Sequence, residues 1–294
     1  MKKTGKQIKR VGIIGNPEKT ACADAVTRAA RLIRAAGREV ASEPDTARLC
    51  GLRVKTYPDA ASLASQVDLL LVLGGDGTLL GVARETAGSQ TPLLGINIGG
   101  LGFLTAVSSA DLASALAHVW KGRYSIERRA LIEADARCRG RHIRQSALND
   151  LVFSRGVASR LIELHVSVDN EPLTRYRCDG LIVSSPTGST AYSLAAGGAV
   201  VFPTAEVLQL TPICPHTLSN RSLILPLTAN ICVQVVDSKP VTILSADGQG
   251  VTELSAGDRI TIRRSHQGIR LMHLEGSSFF ETLRAKLHWR GANL

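Results

Sequence analysis

The stretch LLLVLGGDGTLLG, residues 69–81, decides how this chain is read. Leu69 to Leu73 form an unbroken apolar run, the signature of a strand buried on both faces. Gly74-Gly75-Asp76-Gly77 is the loop at its end, and TLLGVARETAG (78–88) is a helical pattern closed by Gly88. Two readings of the loop stand side by side. Asp76 can be a turn residue bonded to its own backbone. Alternatively, the glycines Gly74, Gly75 and Gly77 let backbone N–H groups approach a polyphosphate with no Cβ in the way. In the second reading Thr78 caps the following helix, whose N-terminus favours an anion. The C-terminal end of a parallel strand is where open α/β sheets bind ligands.

Working outward, the first half alternates strand with helix. VGIIGN (11–16) is a strand and its turn, and ACADAVTRAARLIRAAG (21–37) has apolar residues at helical spacing with an arginine face and a glycine stop. RVKTY (53–57) is a weaker strand and DAASLASQ (59–66) a short helix. PLLGINIG (92–99) is another strand, followed by the helix SADLASALAHVWKG (109–122), with Ser109 or Asp111 near its start. Strands alternating with helices predict right-handed crossovers and a mostly parallel sheet. Beyond about residue 123 the period changes to short, often alternating runs such as RLIELHVSVDN, NICVQVVDS and PVTILSADGQ, the texture of a layered all-β domain. The fold predicted is an α/β N-terminal domain with a mostly parallel sheet, joined to a β-rich, sandwich-like C-terminal domain. The expected divisions are residues 1–125, 126–275 and a C-terminal helix within 276–294, whose Phe279, Leu283 and Leu287 pack back on the body.

Composition narrows the partners. Lys and Arg number 35 against 25 Asp and Glu, a formal net charge of +10 that attracts anions. Aromatics are 4%, too few for a base-stacking platform, so a phosphate-handling pocket fits better than a nucleic-acid groove. The apolar runs fall short of the roughly 18 to 20 residues that span a bilayer, and VGII is too short for a signal-peptide core. Six scattered cysteines without a C-x-x-C pair read as small buried hydrophobes of a cytosolic protein.

Familiar nucleotide fingerprints are missing: neither G-x-x-x-x-G-K-[ST] nor a G-x-G-x-x-G after the first strand occurs. In their place stands DGLIVSSPTGSTAYSLAAGG (179–198), dense in hydroxyls and backbone donors suited to ribose, phosphate or an amide. It can equally be a polar connection between strands. A third stretch, ICPHTLSNRSLILP (213–226), holds His216, Asn220 and Arg221; a lone histidine in a proline-bounded turn is read as structural.

GGDGT, GINIGGLGFL, LND, DGLIVSSPTGSTAYSLAAGG, PHTLSNRSL and DGQ occur in the order found in the NAD kinases, and the chain resembles that family over nearly its whole length. GGDGT alone is shared with diacylglycerol and sphingosine kinases and phosphofructokinases; SSPTGSTAYSLAAGG is far more specific. The resemblance implies transfer of a phosphoryl group from ATP, in some members inorganic polyphosphate, to the adenosine-ribose 2′-hydroxyl of NAD. It implies a divalent metal, Mg²⁺, of unspecified protein ligands, and a homodimer or homotetramer. By the same resemblance Asp76 is the catalytic aspartate and Gly77 its binding neighbour. Asn149 and Asp150 match an Asn-Glu pair that holds NAD. Arg160, Arg177, Asp179, the run Thr190, Ala191, Tyr192, Ser193, Leu194 and Ala195, and Gln249 fall at other NAD contacts. A bulky polar residue at the place of Arg177 accompanies preference for NAD over NADH. The chain departs from the pattern at Asp150, one methylene shorter than Glu, and at Ile98, where a basic or polar residue is common.

Two rival readings bear on the same residues. A diacylglycerol- or sphingosine-type lipid kinase accounts for GGDGT and the positive charge, but not for PTGSTAYSLAAGG, and no basic amphipathic helix offers membrane docking. A non-catalytic NAD(P)-sensing or nucleic-acid-binding protein fits the charge but has no use for an intact Asp76.

Overall fold

The computed structural model describes residues 8–16, 20–138, 141–156, 160–216, 221–237 and 241–289. Asn220 lies outside the described residues. The chain forms two units: the residues up to Arg128 together with those from Ile269 onward, and Arg129–Gly268 between them.

In the first unit, β1 (Arg10–Gly15), β2 (Glu39–Ser42), β3 (Lys55–Thr56), β4 (Leu69–Gly74), β5 (Leu93–Asn97) and β6 (Val107–Ser108) pair in the order β3-β2-β1-β4-β5-β6, all parallel. Helix α1 (Thr20–Ala35) shows why the alternation folds this way. Cys22, Ala25, Val26, Ala29, Ala30 and Ile33 recur at helical spacing and are all buried, while Arg31 and Arg34 face water. They pack on Val11 and Ile13 of β1 and Leu69, Leu71 and Leu73 of β4, in one apolar core. Each such leucine contributes about 1.5–3 kcal/mol by leaving water. Helices α2 (Pro44–Leu49), α3 (Ala60–Gln66), α4 (Asp76–Glu85) and α5 (Leu112–Trp120) complete the crossovers. The sequence pattern missed α2, which is six residues long and begins at a proline. It also missed the two-residue strand β6. Helix α5 begins after a 3-10 turn, Ser109–Asp111, whose cap is Ser108, its hydroxyl accepting from Ala110 N at 3.2 Å.

The chain leaves the first unit within β7 (Tyr124–Cys138) and returns within β18 (Arg259–Leu274). The second unit adds β8 (Arg141–Ala147), β9 (Asp150–Ser154), β10 (Ile162–Val168), β11 (Glu171–Cys178) and β12 (Gly180–Ser184), then a short helix α6 (Tyr192–Ala195). It continues with β13 (Val207–Ile213), β14 (Leu223–Pro226), β15 (Ile231–Val235), β16 (Thr242–Ala246) and β17 (Gln249–Leu254). One sheet runs β14-β13-β12-β9-β16-β17, antiparallel throughout. The other strands of the unit pair as β11-β10-β15-β18, with β7 and β8 beyond. Phe153, Leu181, Val183 and Leu244 from the first layer meet Leu164, Val166, Val233 and Ile260 from the second in a single core. The sequence runs DRITIRRS and GIRLMHL, read as separate strands, are one sixteen-residue strand.

Helix α7 (Phe279–Leu287) belongs to the first unit. Leu283 is buried, Phe279 and Leu287 are half-buried, and the Lys286 ammonium lies 5.9 Å from the centre of the Phe103 ring.

Candidate functional site

Strand β4 is wholly buried and ends at Gly74, and α4 begins two residues later at Asp76 with Gly75 as its cap residue. The carboxylate of Asp76 does not close on its own turn. It reaches the loop that follows β5: Oδ2 accepts from Phe103 N at 2.8 Å, and Oδ1 accepts from Leu104 N at 3.1 Å, Thr105 N at 3.0 Å and the Thr105 hydroxyl at 2.9 Å. Gly102 makes room for this, since a Cβ there would collide with Asp76 Oδ1 and the Thr105 hydroxyl. Buried Asn97 supports the same loop, its Nδ2 donating to Gly100 O at 2.6 Å and to Thr105 Oγ1 at 3.0 Å. Asp76 itself is half-buried and Gly77 exposed.

Two expectations for this loop are corrected. Thr78 is not the helix cap: it sits within the first turn of α4, and its Oγ1 accepts from Asn16 Nδ2 at 3.1 Å. Nor do all the glycines clear space for a ligand. A Cβ at Gly74 would meet Thr78 Cβ at 2.7 Å, so that glycine is required by the first turn of the helix that follows it, whereas one at Gly77 would meet nothing within 4 Å. Ile98 is buried in the core of the first unit, and its N–H donates to Gly74 O at 2.9 Å. An apolar residue is therefore what that position's surroundings ask for.

The second unit gathers three motifs that lie far apart in sequence. Leu148-Asn149-Asp150 leads into β9, Ser185 to Gly188 follows β12, and Asp247-Gly248-Gln249 turns from β16 into β17. The Asp247 carboxylate accepts from the N–H groups of Leu148, Asn149 and Asp150 at 2.9, 2.8 and 3.2 Å. Ser185 N donates to Asn149 O at 2.8 Å. Gly188 packs so close to Asn149 that a Cβ would collide with its carbonyl. Asp150 is buried, and its carboxyl is pushed up to about 7, first by loss of solvent and then by the charge of Asp247.

The remaining expected residues fall into two groups. Thr190, Ala191 and Leu194 are half-buried, while Tyr192, Ala195, Arg160, Arg177 and Gln249 are exposed. The backbone at Arg177 is held by His216, whose N–H donates to Arg177 O at 2.8 Å, a structural role for that turn. Asp179 pairs with the Arg155 guanidinium at 2.8 Å. The serines of the hydroxyl-rich stretch are largely spent inside the protein, contrary to their expected use as ligand donors. Ser189 donates to Pro186 O at 2.7 Å and accepts from Val201 N at 3.0 Å. Ser193, fully buried, bonds Thr211 Oγ1 at 2.9 Å. Buried polar atoms must find partners, so in SSPTGS, buried at every residue, the hydroxyls build the loop itself, and exposure begins beyond it at Thr190.

Sequence reasoning passed over Gly102, Thr105, Ser185 and Asp247 as individual residues. One signal was present: Asp-Gly between two alternating runs marks a tight hairpin. Among the described residues no three His, Cys, Asp or Glu side chains cluster as a metal site. Asp76 Oδ1 is already ringed by three donors, which suits it to fixing the loop rather than to ligating a cation. None of the described helices is long and apolar enough to cross a membrane.

A Gly-Asp loop ending a parallel strand, carried with an antiparallel sandwich, is the architecture of this chain, and comparison with known proteins gives its class, a phosphotransferase. Residues 11–124 match the model of the ATP-NAD kinase N-terminal domain, and residues 148–274 that of the C-terminal domain. The chain belongs to the ATP-NAD kinase family. The NAD kinase of Polaromonas naphthalenivorans is 41% identical over 284 residues, 96% of this chain and 97% of its own length. That of Burkholderia ambifaria is 40% identical over 288 residues, 98% and 96% of the two chains. Among solved structures, yeast NADH kinase complexed with NADH superposes with a TM-score of 0.88 at 27% identity, covering 98% of this chain and 90% of that one. An NAD kinase from Archaeoglobus fulgidus in complex with ATP gives 0.74 at 25% identity, covering 96% and 99%. The lipid-kinase and non-catalytic readings find no support among these relatives.

Proposed function

We propose that the chain transfers the γ-phosphoryl group of ATP to the adenosine-ribose 2′-hydroxyl of NAD, giving NADP. Its relatives carry the name NAD kinase, and two structural neighbours hold NADH and ATP. The observation that carries the mechanism is the unequal loading of the Asp76 carboxylate. Oδ1 accepts from three donors and Oδ2 from one, and a carboxylate offers about four lone-pair sites. Oδ2 therefore keeps room for one more donor, here the 2′-hydroxyl. Asp76 orients that O–H and takes its proton late, as the new oxygen–phosphorus bond forms and the bond from the γ-phosphorus to its bridging oxygen breaks. Phosphoryl transfer depends chiefly on positioning and electrostatics, and a carboxylate already fixed by four bonds needs no reorganisation to serve.

In this reading Gly75 and Thr78 border the donor phosphates, and buried Gly74 gives Thr78 its room there. Gly77, Asn149, Asp150, Arg160, Arg177, Asp179, the residues Thr190, Ala191, Tyr192, Leu194 and Ala195, and Gln249 serve NAD, with buried Ser193 holding that run in place, so that the β-rich unit is the NAD-binding domain. A divalent cation such as Mg²⁺ would supply charge neutralisation on the phosphates, and with no cluster of protein ligands among the described residues it would be held by phosphate oxygens and water. Inorganic polyphosphate is a second donor candidate. The reading also carries a cytosolic location and a homodimeric or homotetrameric assembly.

The test incubates the full chain with MgATP and NAD and detects NADP with an NADP-specific dehydrogenase. Steady NADP formation is expected; its absence, with lipid phosphorylation or with binding alone, overturns the function.

A further inference from the structure

We infer that Asp247 is a positioning residue for NAD, acting through the backbone of Leu148, Asn149 and Asp150. This rests on the assignment of Asn149 and Asp150 to NAD made above.

The three residues have six backbone polar groups, and all six are engaged by only two partners. The three N–H groups donate to the Asp247 carboxylate. Asp150 O accepts from Asp247 N at 3.0 Å, Asn149 O accepts from Ser185 N at 2.8 Å, and Leu148 O accepts from the Ser185 hydroxyl. Such a segment has no free backbone group with which to adopt another conformation, so the directions of the Asn149 and Asp150 side chains are preset.

The carboxylate is able to do this because of where the hairpin puts it. Ala246 and Gln249 pair across a two-residue turn in which Asp247 has φ +50° and Gly248 φ +71°. Positive φ at both positions is the primed turn that Asp-Gly favours. β16 pairs with β9, Ala246 opposite Leu151, so the turn lies beside the residues just before β9. Three N–H groups converging on one ionised acceptor make a charge-assisted set, stronger than neutral bonds and poorly replaced by an amide. Gly188 closes the other side against Asn149.

The experiment measures KM for NAD and for ATP in Asp247→Asn, alone and combined with Asn149→Ala, with thermal unfolding of each. Asp247→Asn is expected to raise KM for NAD at least about tenfold, the effect of losing charged hydrogen bonds, while KM for ATP stays within about twofold. In the Asn149→Ala background the same substitution is expected to raise KM for NAD less than it does in the wild type, because one of its two routes to NAD, the Asn149 side chain, is already cut. Parallel rises in both KM values, or full additivity with Asn149→Ala, overturn the positioning role. If Asp247→Asn does not fold, Ser185→Ala decides, with a selective rise of about threefold in KM for NAD expected from one lost neutral bond and no rise counting against the inference. A wild type that makes no NADP overturns the function itself; an active wild type with an indifferent Asp247→Asn overturns the inference alone.

Discussion

Two aspartates, one in each unit, do similar mechanical work with different chemical prospects. Asp76 gathers the N–H groups of residues 103 to 105 and the Thr105 hydroxyl; Asp247 gathers those of residues 148 to 150. Asp76 sits half-buried at the mouth of a parallel strand, on the first turn of α4, beside an exposed glycine. Asp247 sits in a hairpin turn with its acceptor capacity directed at the chain. The comparison teaches that an aspartate can fix a loop and still stand where chemistry is possible, and that the element holding it, the first turn of a helix or a tight hairpin, tells the two cases apart rather than the number of donors it gathers.

The largest effect expected follows from that difference. Asp76→Asn should keep the fold, by circular dichroism and cooperative unfolding, but lower the NADP-forming turnover by at least about 10²-fold, the lower range of general-base contributions. If it changed only KM, Asp76 and Asp247 would be two clamps of one kind. Gly102→Ala comes next. Its Cβ would press on Asp76 Oδ1, and overpacking of this kind costs about 1–3 kcal/mol, so the variant should unfold at lower denaturant and turn over more slowly.

A smaller effect concerns Asp150. Its carboxyl titrates near 7 in the folded chain, against about 4 when unfolded, so between those values the folded state holds a proton that the unfolded state has lost. That contribution to stability is therefore present below about pH 4 and is lost as pH rises to about 7. Asp150→Asn should flatten this dependence, and its denaturation midpoint should fall less than that of the wild type between pH 5 and pH 8. Equal falls would show that Asp150 does not titrate in this window. The smallest effect is expected at exposed Arg177. Arg177→Ala should lower the ratio of kcat/KM for NAD over NADH by about two- to fivefold, the scale of an exposed charge interaction. An unchanged ratio would remove Arg177 from substrate discrimination.

Much of the architecture was legible along the chain. The apolar run Leu69–Leu73 followed by Gly74-Gly75-Asp76 predicted a buried strand, a loop and a helix, and β4 and α4 lie there. The spacing Cys22, Ala25, Val26, Ala29, Ala30, Ile33 predicted the buried face of α1. The period-two patterns of β15 and β16 likewise appear as alternate burial. What was not legible was the fate of the polar atoms. Thr78 looked like a cap but bonds Asn16, and the serines of SSPTGSTAYS looked like ligand donors but turn inward to Thr211, Val201 and the backbone.

The sequence alone determined which segments become strands and helices, because that choice is made by periods of two and 3.6 residues and by glycine, all local quantities. It also marked the acidic and hydroxyl side chains available for chemistry. Only the tertiary structure decided which of them are spent. Asp76 meets its partners 27 to 29 residues away and Asp247 its own 97 to 99 residues away, distances over which no local spacing carries information. A carboxylate is directed by the donors that the fold brings to it, and those are set by strand order rather than by neighbours in the chain.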